Sequence, residues 1–207
     1  MTSLFSVVPG QRQAGFTLVE IAIVLVIIGL ILGGVLKGQV LIDNAKYKNF
    51  VKQIESYRGA YFTFQDNYRG LPGDFADISA LNTAAVAGNG DGSIDGKFCS
   101  TSEESCNVWS HLRYAGIIAG DPSDVSTNSP PSHTYGGLVS SISTGNWANG
   151  VLETKVLTRG IPGDVAQRYD NEFDDGDATS GSVARYESGN TSTTYDLNAT
   201  HDFFITL

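Results

Sequence analysis

The chain has 207 residues and a formal charge of -9, from 22 acidic and 13 basic side chains. That balance excludes the broad basic surface that nucleic-acid binding by counterion release requires, so no nucleic-acid partner is expected. The length suits one globular domain plus an appendage.

The first element is the apolar run of residues 12–36, "RQAGFTLVEIAIVLVIIGLILGGVL". From Phe16 to Leu36 its only charge is Glu20. As a helix this stretch is about 31 Å long, which matches the hydrocarbon core of a bilayer. A secretory signal places its apolar region before a small-residue cleavage site. Here the small residues Ala14 and Gly15 come first. Cutting after them removes a short polar leader and keeps the anchor.

Gly15-Phe16-Thr17-Leu18-Val19-Glu20 resembles the processing motif of type IV prepilins and type II secretion pseudopilins. The resemblance implies that prepilin peptidase cleaves between Gly15 and Phe16 and methylates the new terminus, giving N-methylphenylalanine. It implies a single-pass protein of the bacterial inner membrane with its head in the periplasm. The implied partners are membrane lipid, an assembly platform and other pilin or pseudopilin subunits. It also accounts for Glu20. An ionised group at mid-bilayer costs about 2.5–3.5 kcal/mol on insertion scales, and Glu20, about 6 Å along the helix from Phe16, costs less. In a filament its carboxylate would pair with the Phe16 amine of a neighbouring copy. An unpaired partner in a dry core is strongly unfavourable, so the pair would select register. Two features depart from the family pattern. Arg12 is the only basic residue in the leader, and no proline occurs between Phe16 and Leu71.

Helical patterning continues beyond the apolar run. Tyr47, Phe50, Val51, Ile54, Tyr57, Tyr61, Phe64 and Tyr68 recur at three- and four-residue steps and make one apolar stripe. One helix from Thr17 to Tyr68 is therefore expected, about 78 Å long. Its second half should pack on a sheet, with the stripe serving as core rather than as a ligand site. Arg69-Gly70-Leu71-Pro72-Gly73-Asp74 ends it. The expected organisation is a leader at 1–15, a membrane or filament-core helix at 16–36, an amphipathic helix at 37–68 and a head at 69–207.

A long, mostly irregular connection follows, to about Pro131. It holds "CSTSEESC", Cys99 to Cys106. Neither four-ligand metal spacing nor C-x-x-C is present, so a small disulfide loop in an oxidising compartment is expected; free thiols would require a cytosolic location. "VWSHLRYAGII" reads as a short helix with Trp109, Leu112 and Ile117 toward the core and His111 packed or solvated. "YGGLVSSIST" and "GVLETKVLTRG" alternate as antiparallel strands, with "GNWANG" between them. "DVAQRYDNEF" reads as a helix carrying Val165, Tyr169 and Phe173 on one face. "SVARYES" and "DFFITL" supply further edge strands. The fold class is α+β, with a long N-terminal helix on a small antiparallel sheet. Leu71-Pro72-Gly73-Asp74 and Ile161-Pro162-Gly163-Asp164 are alike as repeated turn chemistry.

Two acidic loops admit calcium. "GNGDGSIDG" places Asn89, Asp91 and Asp95 in half of an EF-hand-like pattern whose outer ligands are missing; an Asn/Asp/Gly turn is the other reading. "YDNEFDDGDATSG" carries Asp170, Asp174, Asp175 and Asp177. Such carboxylates repel unless solvated or neutralised by a hard cation. No cofactor is otherwise implied. His111, His133 and His201 lack ligand spacing, and nucleophile-elbow and phosphate-loop motifs are absent. An enzyme is not expected. The implied function is a structural subunit of a type IV pilus-like filament. The alternatives are a secretion pseudopilin driving protein export and a minor pilin acting in adhesion or DNA uptake.

Overall fold

The computed structural model describes residues 15, 17–100, 103–127, 129–145, 152–186 and 192–207. Helix α1 runs Leu18–Tyr68 without a break, as the lack of an internal proline allows. It stops where Arg69 turns left-handed (φ 53°) and its N–H closes on the Gln65 carbonyl at 2.8 Å, ahead of Gly70 and Pro72. The chain divides into two compact units at Asn44/Ala45. In the first, every residue from Leu18 to Leu36 is exposed, and the helix is long and apolar enough to cross a membrane.

The second unit contains the rest of α1, then α2 (Ile78–Leu81), α3 (Glu104–Tyr114), β1 (Val139–Gly145), β2 (Glu153–Pro162), α4 (Gly163–Phe173), β3 (Val183–Arg185) and β4 (Thr200–Thr206). The strands form one sheet in the order β1-β2-β4-β3, with every neighbouring pair antiparallel. The expected α+β architecture is therefore what the chain adopts. The turn expected between β1 and β2 falls largely on residues 146–151, outside the described residues.

The stripe on α1 is core. Tyr47, Phe50, Ile54, Tyr61 and Phe64 are buried, and Val51, Tyr57 and Tyr68 pack half-buried beside them. They meet Trp109 and Leu112 of α3, Val165 and Tyr169 of α4, and Ile142, Val156, Phe203 and Ile205 of the sheet. The opposite sheet face is also covered. Leu157 and Phe204 are fully buried there, Tyr186 packs on Phe204 and Phe98 on Tyr186, and Ser141 Oγ donates to the Lys97 carbonyl.

This double cover corrects one expectation. β4 is an interior strand between β2 and β3, not an edge. Phe203 and Ile205 face α1 while Phe204 faces the other layer, and a strand buried on both faces reads as a continuous apolar run. Phe173 keeps the expected face of α4, its ring centroid 4.6 Å from that of Tyr169. At the last residue of α4 it is 44% exposed, whereas Val165 and Tyr169 are buried. The two Pro-Gly-Asp turns share letters but not geometry. Gly73 is left-handed (φ 93°) and ends a turn, while Gly163 opens α4.

Two histidines pin the connection to the core. The Gly73 N–H donates to His111 Nδ1 at 2.9 Å, so Nε2 carries the proton and donates to the Val86 carbonyl at 2.7 Å. The same pattern recurs at His133, where the Tyr135 N–H donates to Nδ1 and Nε2 donates to the Arg159 carbonyl. Both are buried. Burial holds both below the usual imidazole range, with the carbonyl acceptors acting weakly the other way. A protonated Nδ1 would face an N–H. The folded pKa being depressed, the stability these two groups contribute is present above the unfolded value near 6.5 and is lost as pH falls from there through the folded value. The expected result is that both imidazoles keep the Nε2–H tautomer by nitrogen-15 NMR at about pH 6, where a solvated histidine is mostly protonated.

Candidate assembly site

Gly15 is exposed, with nothing within 4 Å of where a side chain would start. It lies three residues ahead of α1. Phe16, its expected partner in cleavage, lies outside the described residues. Glu20 sits in the first turn of α1, and its surroundings hold a feature the charge pattern alone did not suggest. The Thr17 N–H and the Thr17 hydroxyl both donate to Glu20 Oε2 at 2.9 Å, and the Glu20 N–H donates back to Thr17 Oγ1 at 3.2 Å. This reciprocal arrangement is a capping box, which satisfies helix-end donors that have no carbonyl partner. In hydrocarbon that matters more than in water, because an unmatched N–H there finds no solvent. Both donors converge on Oε2. Oε1 accepts nothing among the described residues, and it remains available to a donor from another molecule.

The acidic loops are organised differently from one another. In the first, backbone N–H groups turn inward onto two carboxylates of the chain itself. The buried Asp74 accepts from Gly90 and Asp91 at Oδ1 and from Gly92 at Oδ2. Glu104 accepts from Asn89 at Oε1 and from Asp95 at Oε2. Asn89 and Asp91 side chains each cap the N–H two residues on, as such residues do in Asx turns. Gly88 lies so close to Asp74 that a Cβ would meet its backbone at 2.3 Å, so the loop packs flat on the turn after α1. Asp74 lies 16 to 18 residues from the N–H groups it accepts and Glu104 lies 15 and 9 from its two, and no local spacing announces them.

In the second loop, ligand atoms of Asp170, Asp174 and Asp175 lie within 4.8 Å of one another. Asp177 is not among them; it caps Thr179. The three carboxylates also have donors of their own. Asp170 accepts from the Gly176 N–H and the Tyr195 hydroxyl, Asp174 from the Val183 N–H, and Asp175 from the Asp177 N–H and the Ser180 hydroxyl. Burial pushes the Asp170 carboxyl up to about 6, against the two hydrogen bonds that lower it. The separation is compatible with a hard divalent cation and equally with a hydrogen-bonded turn.

Cys99 and Cys106 form a disulfide. It ties the loop behind the sheet to the first turn of α3, where Cys106 is fully buried. On the chain-entropy account a loop this short contributes about 2–3 kcal/mol.

Residues 10–36 match the family model described as the prokaryotic N-terminal methylation motif. No curated protein and no solved structure matches the chain.

Proposed function

From a chain that carries the type IV pilin and pseudopilin signature at residues 10–36, we propose that it is a structural subunit of a type IV pilus-like filament. The signature belongs to structural, generally non-enzymatic proteins and implies prepilin peptidase and other pilins as partners. The observation that carries the reading is the juxtaposition of an open Gly15 with a helix that is bare from Leu18 to Leu36. In this reading the peptidase cuts after Gly15, the mature chain stays in the inner membrane with its head in the periplasm, and the apolar helix then moves from lipid into a filament core. The Phe16 amine, freed by cleavage, meets Oε1 of a neighbour's Glu20 while Oε2 keeps the neighbour's own helix capped.

A pseudopilin of a secretion system uses the same processing and the same helix. Genes for a secretin and secretion ATPase beside this one would favour that reading, and a retraction ATPase would favour the pilus. Processing is tested by mass spectrometry of the purified chain. The expected mature form begins at Phe16 and is one methyl group heavier than its sequence. A chain that still begins at Met1, unmethylated, overturns the reading.

A further inference from the structure

A cleft of about 640 Å³ opens where α1 gives way to the connection, within the size range of small-molecule sites. Leu71 and Phe75 give it an apolar side, and Gln65, Arg69, Asp74 and Asp77 bring polar groups to it. The backbone at Gly90 and Gly92 completes the lining. Among the described residues Arg69 is the only one other than glycine with a left-handed backbone (φ 53°). Glycine takes such a helix-end position freely, whereas a side chain there crowds its own carbonyl. The chain does carry a glycine one place on. Gly70 is needed at its own position, because a Cβ there would meet Phe75 Cδ2 at 2.7 Å. Local geometry thus explains Gly70 and gives no reason for an arginine at 69. Backbone strain of this kind collects where a side chain serves a ligand. Arg69 is exposed, and its guanidinium makes no ion pair or hydrogen bond among the described residues.

We infer that this cleft binds a neutral sugar ring, with Arg69 donating to its hydroxyls. The polar groups of the lining are of both kinds. Arg69 supplies donors only. Asp77 supplies acceptors, since Oδ1 takes the Ser79 hydroxyl and Oδ2 accepts nothing among the described residues. Gln65 supplies one of each, and its amide has no partner among the described residues. Neighbouring hydroxyls on a sugar both donate and accept, so donors and acceptors side by side match them. A phosphate or carboxylate fits less well, because beside the arginine it would meet the Asp77 and Asp74 carboxylates. The C–H face of the ring needs an apolar wall with an aromatic in it, which Leu71 and Phe75 provide. The wall is also preformed. Asp74 is buried and holds the Gly90, Asp91 and Gly92 N–H groups, so little ordering is left for binding to supply. The inference is independent of the filament reading, since it concerns only the last turn of α1 and the loops packed on it.

The test is saturation-transfer NMR on the full-length chain in dodecyldimethylamine oxide micelles, which carry no sugar head group. The probes are the methyl glycosides of glucose, galactose, mannose and N-acetylglucosamine. The expected result is transfer to the ring protons of at least one of them. Arg69→Gly should reduce that transfer about tenfold or more, the effect of losing hydrogen bonds from a charged donor. Because glycine relieves the left-handed backbone, the same variant should unfold at a higher urea concentration than the unaltered chain. Lost binding with a raised midpoint therefore cannot be loss of the fold. No transfer to any of the glycosides, or equal transfer with Arg69→Gly, overturns the sugar site and leaves the filament reading standing. Lost binding with a lowered midpoint makes Arg69 a structural cap and overturns the site as well.

Discussion

On the filament reading, Glu20→Ala is expected to abolish filament formation while leaving the mature chain in the membrane. In lipid the substitution removes a carboxylate, which eases insertion. It also removes the capping box with Thr17. Neither effect prevents the helix from existing. In the proposed filament core the outcome differs, because the Phe16 amine of the neighbouring copy would be left without a counter-charge. Breaking a buried pair by removing one partner costs about 3–5 kcal/mol, which is a factor of about 100 or more in the assembly equilibrium. Glu20→Gln separates the two roles of the side chain. Glutamine serves in a capping box as glutamate does, so the helix start is retained, but the amine still lacks a negative partner. The expected order of filament yield is therefore wild type far above both variants, with Glu20→Gln close to Glu20→Ala. Electron microscopy of sheared fractions measures it. Normal filaments from Glu20→Gln would mean that the carboxylate serves its own helix and nothing else.

Much of this was readable from residue order because it depends on local periodicity. The stripe from Tyr47 to Tyr68 identifies both the helix and its buried face. The Thr17-x-x-Glu20 spacing ahead of an apolar run is a helix-start pattern in its own right, overlaid here by the processing motif on the same residues. Non-local features were not readable. Whether "DFFITL" is an edge or an interior strand depends on where β3 docks, and β3 residues lying 18 to 22 positions before their partners in β4 decide that. The first acidic loop looks like half a cation site because its sequence gives Asn, Asp and Gly but not their aim. The backbone N–H groups point at Asp74 and Glu104, which belong to the turn after α1 and to α3. The disulfide was readable for a simpler reason, since two cysteines in one short polar loop have few alternatives.

Phe50→Ala removes a large part of the head's stability, whereas Phe62→Ala on the same helix removes almost none. Phe50 has no exposed surface. Its ring meets His133, Tyr135, Tyr169 and Phe203 edge-on, at centroid distances of 5.7, 5.9, 5.7 and 6.3 Å. Truncating it opens a cavity between α1, α4 and β4 that these rigid rings fill only in part. Such changes cost about 3–5 kcal/mol, out of a total of about 5–15 kcal/mol for a typical domain. Phe62 is 44% exposed and leaves no enclosed void, so its loss falls within about 0.5 kcal/mol. Urea unfolding of the detergent-solubilised chain, followed by aromatic circular dichroism, reads both. The expected midpoint for Phe50→Ala is far below wild type, and that for Phe62→Ala is indistinguishable from it. Equal shifts from the two would mean that the stripe on α1 is not the core of the head. The long helix would then be joined to the sheet by sequence alone rather than by packing.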